Sequence, residues 1–181
     1  MKITETGIKD LVIIEPKIFP DDRGFFYEGF KSDLFCELGF HLDYIQDNVA
    51  ESSKGVLRGM HLQKEPYAQT KIIRCLSGAI YDVATDLRPG SATYKRSFGI
   101  ELTGENHKQL FVPRGFAHGY LVLSDKASVM YKVDNIWHRD SEAGFLWNDD
   151  DISIDWPNVG ELVLSPKDEL LPSFKELEKD L

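Results

Sequence analysis

Two stretches of the sequence concentrate side chains that can carry acid–base chemistry. Residues 55–63 contain His61 and are followed by Lys71, and residues 113–119 contain His118. Histidine gains and loses protons near neutral pH, and the lysine ammonium is a positive charge that can oppose a developing negative one. Ionisable groups are costly to bury unless they serve a purpose. These three residues are therefore the first candidates for a functional pocket.

The spacing of the two stretches resembles the two signature motifs of the cupin superfamily. The first motif has the form Gly, five residues, His-x-His, a downstream Glu and a Gly, and the second has the form Pro-x-Gly-x-x-His. Metal-binding cupins use three His and one Glu as ligands, but here Gln63 replaces the second His, and Lys71 stands where the Glu is expected. An ammonium has no lone pair and repels a dication, and two histidines make a poor transition-metal site. The sequence therefore predicts a metal-free pocket that contains a cation.

The alternative for His61 and His118 is burial in the core with satisfied hydrogen bonds, the usual state of a lone buried histidine. The cupin topology weakens this alternative because it brings both histidines together with Lys71. Arg58 and His61 have opposite parity along one predicted strand. Both side chains reach one pocket only if the strand bulges between them, and Gly59 is the expected place.

Short runs rich in β-branched and aromatic residues alternate with turn signals along most of the chain. Predicted strands lie within residues 71–86, 96–102, 109–112, 117–123 and 128–133. This pattern predicts a mainly β fold, an antiparallel sandwich or barrel, with a few short helices. The resemblance to cupins implies that the fold is a cupin-type antiparallel jelly-roll barrel. Ser32 is expected to cap a helix that runs to Leu38 and ends at Gly39. Ser173 and Glu176 have the spacing of a capping box at the start of a C-terminal helix, residues 174–181.

Length and charge narrow the class of protein. The chain has 181 residues, with 21 Lys and Arg against 30 Asp and Glu, for a formal net charge of −9. This length predicts one domain, residues 1–181, with residues 146–181 as a C-terminal arm. The acidic excess argues against nucleic acid as a partner, because sequence-independent binding needs a basic face. We see no secretory leader and no long apolar run, so we expect no membrane partner and a cytoplasmic protein with reduced Cys36 and Cys75.

A more specific resemblance runs in order from about residue 10 to residue 170. It is carried by Asp22-Arg23-Gly24-Phe25-Phe26, Gln46-Asp47-Asn48, Arg58-Gly59-Met60-His61, Ala68-Gln69-Thr70-Lys71, Pro113-Arg114-Gly115-Phe116-Ala117-His118-Gly119, Tyr131, Glu142-Ala143-Gly144, Trp156-Pro157 and Leu164-Ser165-Pro166-Lys167-Asp168. Together these motifs resemble those of the dTDP-4-dehydrorhamnose 3,5-epimerase family. The resemblance implies a cupin fold, a homodimer, and an isomerase that acts on a nucleotide sugar.

The resemblance implies a role for each of four catalytic residues. His61 is the general base, Asp168 pairs with it and fixes its tautomer, Lys71 stabilises an enolate, and Tyr131 delivers a proton from the opposite face. The substrate class is a nucleoside diphosphate 4-keto-6-deoxy-hexose, whose keto group acidifies the hydrogens at C3 and C5. Because hydrogen leaves and returns as a proton, no cofactor is expected, and the sequence has no Gly-rich phosphate loop of the Rossmann or Walker type.

The resemblance also implies a set of substrate-contacting residues. They are Arg23, Glu28, Gln46, Asp47, Asn48, Arg58, His118, Glu142 and Lys167. Arg23 and Arg58 suit a diphosphate because guanidinium makes bidentate, permanently charged contacts. For any exposed charged residue taken alone, a surface ion pair is the commoner state. Residues around Arg23 and Glu28 are expected to reach the site of a partner subunit.

One stretch departs from the family pattern, in which the catalytic Tyr is commonly followed by a Thr and then an aromatic pair. Here Asp134 stands near the Thr position, and Ile136-Trp137 replaces the pair. The change is compatible with stacking preserved by Trp137, with a different nucleotide base, or with a larger sugar such as a GDP- or CDP-linked 4-keto-heptose. Epimerisation at C3 alone, a ketoisomerase and a non-catalytic sugar-binding cupin are further alternatives. Tyr131 counts against the ketoisomerase, and the matched acid and base count against the binding module.

Overall fold

The computed structural model describes residues 1–37, 39 and 43–181, and antiparallel strands make up most of its regular structure. In chain order the strands are β1 (Lys2–Glu5), β2 (Val12–Glu15), β3 (Phe19–Asp21), β4 (Gly24–Phe26), β5 (Gln46–Ser53), β6 (Leu57–Gln63), β7 (Lys71–Ser77), β8 (Ala79–Asp86), β9 (Ser97–Thr103), β10 (Gln109–Val112), β11 (Phe116–Val122), β12 (Lys126–Val133) and β13 (Glu142–Gly144). The helices are α1 (Ser32–Glu37), α2 (Pro166–Glu169) and α3 (Phe174–Leu177), with 3-10 turns at Arg139–Ser141 and Glu178–Asp180. Among these residues, no helix is both long and apolar enough to span a bilayer.

Two sheets form the body of the fold. One has the order β1-β2-β10-β7-β12-β5, and the other has the order β13-β6-β11-β8-β9. Strands β3 and β4 form a separate two-stranded hairpin. Non-sequential neighbours such as β10 and β7 show that chain crossovers connect the strands, as in a jelly roll. The predicted mainly β, cupin-type fold is confirmed.

The core occupies the space between the two sheets and follows the two-residue alternation of strands. Ile73 on β7, Ile80 on β8, Val122 on β11 and Val129 on β12 all belong to this buried cluster. Lys71 shares the inward face of β7 with Ile73, so the same alternation that builds the core turns this lysine into the barrel.

Further apolar clusters cover the outer faces of both sheets. Outside the six-stranded sheet, Phe35 of α1 packs with residues of β2, β7 and β10. Outside the five-stranded sheet, Phe174 and Leu177 of α3 pack with Met60 of β6 and with Phe145. Residues 146–181 therefore lie against the barrel and not apart from it.

The two predicted helices are present, but the first begins one residue earlier than expected. Ser32, predicted as the residue that caps α1, is its first helical residue, and the backbone N–H of Phe35 donates to the carbonyl of Lys31 at 3.0 Å. The last described residue of α1 is Glu37, and the predicted end at Leu38 lies outside the described residues. At the C-terminus, the carboxylate of Glu176 accepts a hydrogen bond from the backbone N–H of Ser173 at 3.0 Å, which confirms the capping box. The following helix is α-helical to Leu177 and continues as a 3-10 turn.

The bulge predicted at Gly59 is present. Cross-strand pairing runs from His118 opposite His61 to Tyr120 opposite Arg58, so β6 holds one more residue than β11 over this step. Gly59 has a φ of +126°, and a Cβ atom there would lie 2.6 Å from Cα of Gly119. Glycine is required because both the backbone conformation and the close strand approach exclude a side chain.

We predict that Gly59→Ala lowers the free energy of unfolding by about 2–4 kcal/mol, because the methyl group adds a backbone clash to conformational strain. The matched control is Gly90→Ala. Gly90 also has a positive φ of +76°, but no atom lies within 4 Å of the position that a Cβ atom would take there. Gly90→Ala should lower the free energy of unfolding by about 1 kcal/mol, because only the backbone conformation disfavours a side chain there. Urea denaturation measures both losses, and equal losses would contradict the close-approach argument.

Candidate active site

His61 and Asp168 form a hydrogen-bonded pair although 107 residues separate them in the sequence. His61 lies on β6, and its Nε2 is 2.5 Å from Oδ1 of Asp168 on α2. The side chain of Asp168 is buried, whereas the imidazole of His61 is 25% exposed. A carboxylate that accepts from Nε2–H fixes this tautomer, which leaves Nδ1 with the lone pair that a general base needs.

Ser165 holds Asp168 in place at the start of α2. Its Oγ accepts from the backbone N–H of Asp168 at 3.1 Å and donates to Oδ2 of Asp168 at 2.8 Å. Burial by itself would raise the pKa of Asp168, but hydrogen bonds from His61 and Ser165 and the nearby charge of Lys167 lower it below its ordinary value. Asp168 is therefore a carboxylate at neutral pH, as an orienting partner for His61 must be.

Lys71 and Tyr131 come from the other sheet, on the neighbouring strands β7 and β12. Burial lowers the pKa of Lys71 to about 8, although the negative charges of Asp82 and Glu142 oppose the change. Burial also raises the pKa of Tyr131, against the effect of Arg58. At neutral pH Lys71 is mainly a cation, and Tyr131 is a neutral hydroxyl that has a proton to donate.

These groups line one cleft with two connected parts, which share His61, Lys71 and Tyr131. The first, called the Arg58 part, has a volume of about 270 Å³ and is also lined by Ala50, Arg58, His118, Tyr120, Ser165, Lys167 and Asp168. The second, called the Trp137 part, has a volume of about 350 Å³ and is also lined by Gln46, Asn48, Leu62, Gln63, Gln69, Trp137 and Glu142. His61, which Asp168 of α2 contacts, and Tyr131 thus lie on opposite sheets of the same cleft.

Polar contacts hold several of these side chains in position. Nε and Nη2 of Arg58 donate to Oγ of Ser52 at 3.2 and 3.1 Å. The carboxylate of Glu142 forms an ion pair with Lys167 and accepts from Nε1 of Trp137 at 3.3 Å. Glu142 therefore links the indole in one part of the cleft to a lysine in the other.

Alternation along β5 separates the three consecutive residues that were predicted to contact substrate. Gln46 and Asn48 line the Trp137 part, and their side chains hydrogen-bond each other at 2.8 Å. Asp47 points to the opposite side of the strand, where its carboxylate pairs with Nζ of Lys132. The cleft of this chain therefore receives Gln46 and Asn48 but not the side chain of Asp47.

Arg23 and Glu28 are the other two predicted substrate-contacting residues that line neither part of the cleft. Arg23 is exposed, lies in the turn of the β3–β4 hairpin and pairs with Asp21. Glu28 is also exposed and follows β4. The remaining predicted contacts, His118, Arg58, Glu142 and Lys167, all lie in the cleft.

With this geometry established, comparison with known proteins identifies the family. A family model described as dTDP-4-dehydrorhamnose 3,5-epimerase matches residues 5–176. The chain belongs to the dTDP-4-dehydrorhamnose 3,5-epimerase family. It is accordingly an isomerase, and the epimerase resemblance drawn from its motifs is confirmed.

Individual relatives are similar over nearly the whole chain. The dTDP-4-dehydrorhamnose 3,5-epimerase of Escherichia coli is 49% identical over 98% of this chain and 96% of its own. A dTDP-6-deoxy-D-glucose-3,5-epimerase of Legionella pneumophila, solved in complex with dTDP-4-keto-L-rhamnose, is 42% identical, with a TM-score of 0.96 over 99% of this chain and 95% of that one. A 3′-monoepimerase of Streptomyces bikiniensis, solved in complex with dTDP-quinovose, is 32% identical, with a TM-score of 0.89 over 96% of this chain and 88% of that one.

The departure from the epimerase family pattern at residues 134–137 has two different structural consequences. The side chain of Asp134 is buried outside the cleft lining, where it accepts from the backbone N–H of Thr70 at 2.6 Å and from Nη2 of Arg114 at 2.9 Å. It therefore anchors the residue that precedes Lys71. Trp137, in contrast, is half exposed and lines the cleft.

Several residues around this cleft were not predicted as site residues from the sequence. Asp82, whose Oδ1 lies 2.8 Å from Nε2 of His118, is a charged residue inside an apolar strand, which is a detectable signal. Ser165 has the residue type and position of a helix cap before Pro166. Gln69 lines the cleft and stands in the motif that ends at Lys71, which is also a detectable signal. Ser52 carries no comparable signal, since only the fold brings it to Arg58.

Gln63, which replaces a cupin metal ligand, has a structural partner of its own. Its Oε1 accepts a hydrogen bond from the backbone N–H of His138 at 3.0 Å. Across the part of the chain that the structure describes, no group of three or more His, Cys, Asp or Glu side chains is placed to hold a metal ion. Gln63 thus fixes the chain next to Trp137.

We predict that Asp168→Asn destabilises the protein at neutral pH and that the difference from the wild type shrinks as the pH falls below about 4. The folded-state pKa of Asp168 is lowered, so its stabilising contribution is present above the unfolded-state pKa and is lost as the pH falls through the folded-state value. Urea denaturation across this pH range measures the effect. The control is Asp150→Asn, which removes an exposed carboxylate and should have a smaller effect on stability at neutral pH. A constant difference for Asp168→Asn would contradict the prediction.

Proposed function

We propose that the chain inverts C3 and C5 of dTDP-4-dehydro-6-deoxy-D-glucose to give dTDP-4-dehydro-L-rhamnose. The observation that carries this proposal is a base and an acid on opposite walls of one cleft. His61, oriented by Asp168, lies on β6 of the five-stranded sheet, and Tyr131 lies on β12 of the six-stranded sheet. A sugar held between the sheets meets the base on one face and the acid on the other, as inversion requires.

Each inversion removes one proton and returns one from the opposite face. Nδ1 of His61 takes the proton from the carbon next to the ketone, and the C–H electron pair moves to the C4 oxygen as an enolate. The ammonium of Lys71 opposes the charge that develops on this oxygen. Tyr131 then donates its hydroxyl proton to the same carbon from the other side as the ketone re-forms. Exchange with solvent restores both residues, and no electron acceptor is needed.

The rest of the cleft supports binding of the nucleotide diphosphate. Arg58 is held by Ser52 through one edge of its guanidinium, so other N–H groups are free to contact an anion. Lys167 adds a second cation in the same part of the cleft. The indole of Trp137 offers a planar surface for the base, where the family commonly has an aromatic residue. The Legionella relative, solved with dTDP-4-keto-L-rhamnose, supports a dTDP-sugar as the substrate.

We predict that deuterium from heavy water enters the sugar at C3 and C5 when the enzyme is incubated with dTDP-4-keto-6-deoxyglucose, as followed by NMR. His61→Ala should slow exchange at both carbons by about 100- to 10,000-fold, because it removes the base. Tyr131→Phe should retain some exchange but impair the completed inversion, most clearly at C5. Tyr94→Phe is the matched control, since the Tyr94 hydroxyl contacts Glu178 and lines neither part of the cleft.

The alternatives give different results in the same assay. Exchange at C3 alone would indicate a 3-epimerase, as in the Streptomyces relative named a 3′-monoepimerase. Exchange only with a GDP- or CDP-linked 4-keto-heptose would reject the dTDP-linked hexose as the substrate, but it would agree with the proposed proton transfers. Normal turnover by His61→Ala would reject His61 as the base.

We further propose that the enzyme is a homodimer in which the β3–β4 hairpin of one subunit completes the cleft of the other. Arg23 and Glu28 lie outside the cleft of their own chain, although both occupy substrate-contact positions of the family motifs. Large apolar side chains on the hairpin, Phe19, Phe25 and Phe26, are exposed, and such a patch is typical of an interface. A cytoplasmic location stays a prediction from the sequence.

Mixing two impaired variants tests this arrangement. Arg23→Ala should lower kcat/KM by about 10- to 100-fold through loss of a charged contact, and His61→Ala should be inactive. If Arg23 acts across the interface, a mixed dimer of the two variants has one intact site, and an equal mixture should recover about a quarter of wild-type activity. No recovery in a mixture shown by light scattering to be dimeric would place Arg23 in its own site or outside both.

A further inference from the structure

One buried carboxylate that the proposed steps leave unused contacts a residue of the cleft. Asp82 lies on β8, and its side chain is fully buried. Its Oδ1 is 2.8 Å from Nε2 of His118, which lines the cleft. Its Oδ2 is also buried, and no hydrogen-bond partner for it occurs among the described residues.

A carboxylate in this state is costly to keep ionised unless cations compensate it. Asp86, on the same strand, shows the usual compensation, because its equally buried carboxylate accepts hydrogen bonds from Arg88, Ser91 and Thr93. Asp82 has one hydrogen-bonding neighbour in place of three. Lys71 lines the same part of the cleft as His118, so Asp82 lies directly behind the wall that holds this buried cation. The negative charge of Asp82 acts on Lys71 from this position.

We propose that Asp82 is a positioning residue for the reaction: its charge keeps Lys71 protonated, and its Oδ1 holds His118 with the proton on Nε2. The inference rests on the proposed function, in which a charged Lys71 opposes the enolate. His118, with Nε2 engaged by Asp82, has only Nδ1 left for a ligand in the cleft.

The balance of effects on Lys71 supports this role. Burial lowers the pKa of Lys71 to about 8, and Asp82 and Glu142 are the two carboxylates that oppose this decrease. Glu142 is already paired with Lys167 and hydrogen-bonded by Trp137. The negative charge of Asp82 is thus less neutralised by neighbouring groups than that of Glu142. Without it, a larger share of Lys71 would be an uncharged amine near neutral pH.

Other ionisable groups face Lys71 or Asp82 from each element around the cleft. They are Arg58 and His61 on β6, Cys75 on β7, His118 and Tyr120 on β11, Tyr131 on β12, Glu142 on β13, and Lys167 and Asp168 on α2. Burial raises the pKa of Cys75 to about 11 and also raises those of Tyr120 and Tyr131, so these groups stay neutral at pH values where Lys71 titrates. Asp168 is an anion throughout that range because its pKa is lowered.

The test is Asp82→Asn, which removes the charge and preserves the shape and an oxygen that accepts from Nε2–H. Carbon-13 NMR of lysine-labelled protein follows the titration of Lys71, whose signal is assigned by its loss in Lys71→Arg. The midpoint should lie near pH 8 in the wild type and about one pH unit lower in Asp82→Asn. Asp82→Glu, which retains the charge, should stay close to the wild type. The deuterium-exchange rate of Asp82→Asn should fall by up to about tenfold at about pH 8.5 and little at about pH 6.

Asp86→Asn is the matched control, because it also removes a buried carboxylate from β8 but one that hydrogen-bonds outside the cleft. It should lower stability and leave both the Lys71 midpoint and the pH profile unchanged. An unchanged midpoint in Asp82→Asn, or an equal change in Asp86→Asn, would overturn the inference. Absence of exchange by the wild-type enzyme would instead reject the proposed function, and the NMR midpoints would still measure the effect of Asp82 on Lys71.

Nitrogen-15 NMR of histidine-labelled wild-type protein tests the second half of the inference without any substitution. His118 should be protonated on Nε2 in its neutral form. A neutral His118 with the proton on Nδ1 would overturn that assignment. This measurement and Asp82→Glu keep the inference testable even if Asp82→Asn does not fold.

Discussion

The hydrogen bond between His61 and Asp168 joins the barrel to the C-terminal segment, and the acid–base site depends on it. The bond forms because residues beyond Phe145 return across the outer face of the five-stranded sheet. The backbone N–H of Leu57 donates to the carbonyl of Val163 at 3.0 Å, and Phe174 packs into the cluster that contains Phe145. The apolar contacts of this segment therefore do two things: they shield one sheet from water, and they deliver a carboxylate to the base.

Burial of charge is the second constraint on the cleft, because ions in a protein interior need compensation. Arg58, Lys71 and Lys167 are the cations of the cleft, and the carboxylates of Glu142, Asp168 and Asp82 lie in it or directly behind it. The formal net charge of −9 is thus a property of the whole chain that says little about the ligand. The local arrangement, in which cations line the cleft and one carboxylate is withdrawn from it, is what suits the cleft to the proposed nucleotide sugar.

Two residues after Tyr131, Asp134 and Trp137, depart from the family pattern, and only Trp137 lies in the cleft. Asp134 differs from the residue type common in the family, yet it contacts the backbone before Lys71 and not the cleft. Trp137 differs too, but it keeps an aromatic surface there and is held by Glu142. The chain matches the epimerase family model over residues 5–176 with both changes present, and His61, Lys71 and Tyr131 all line the cleft.

The sequence by itself determined the strand pattern and the β class of the fold, because alternation and turn chemistry are local properties of the chain. The sequence also marked Gly59 as the place where a bulge was expected and, through the family resemblance, named the proposed acid–base residues. It also placed Arg58 and Asp47 among the substrate contacts on the strength of residue type and motif. Only the tertiary structure decided which of these share a cleft: the bulge admits Arg58 beside His61, whereas strand parity turns Asp47 toward Lys132. It alone paired Asp82 with His118, since pairing across strands depends on register, and register is set by the packing of the two sheets as a whole.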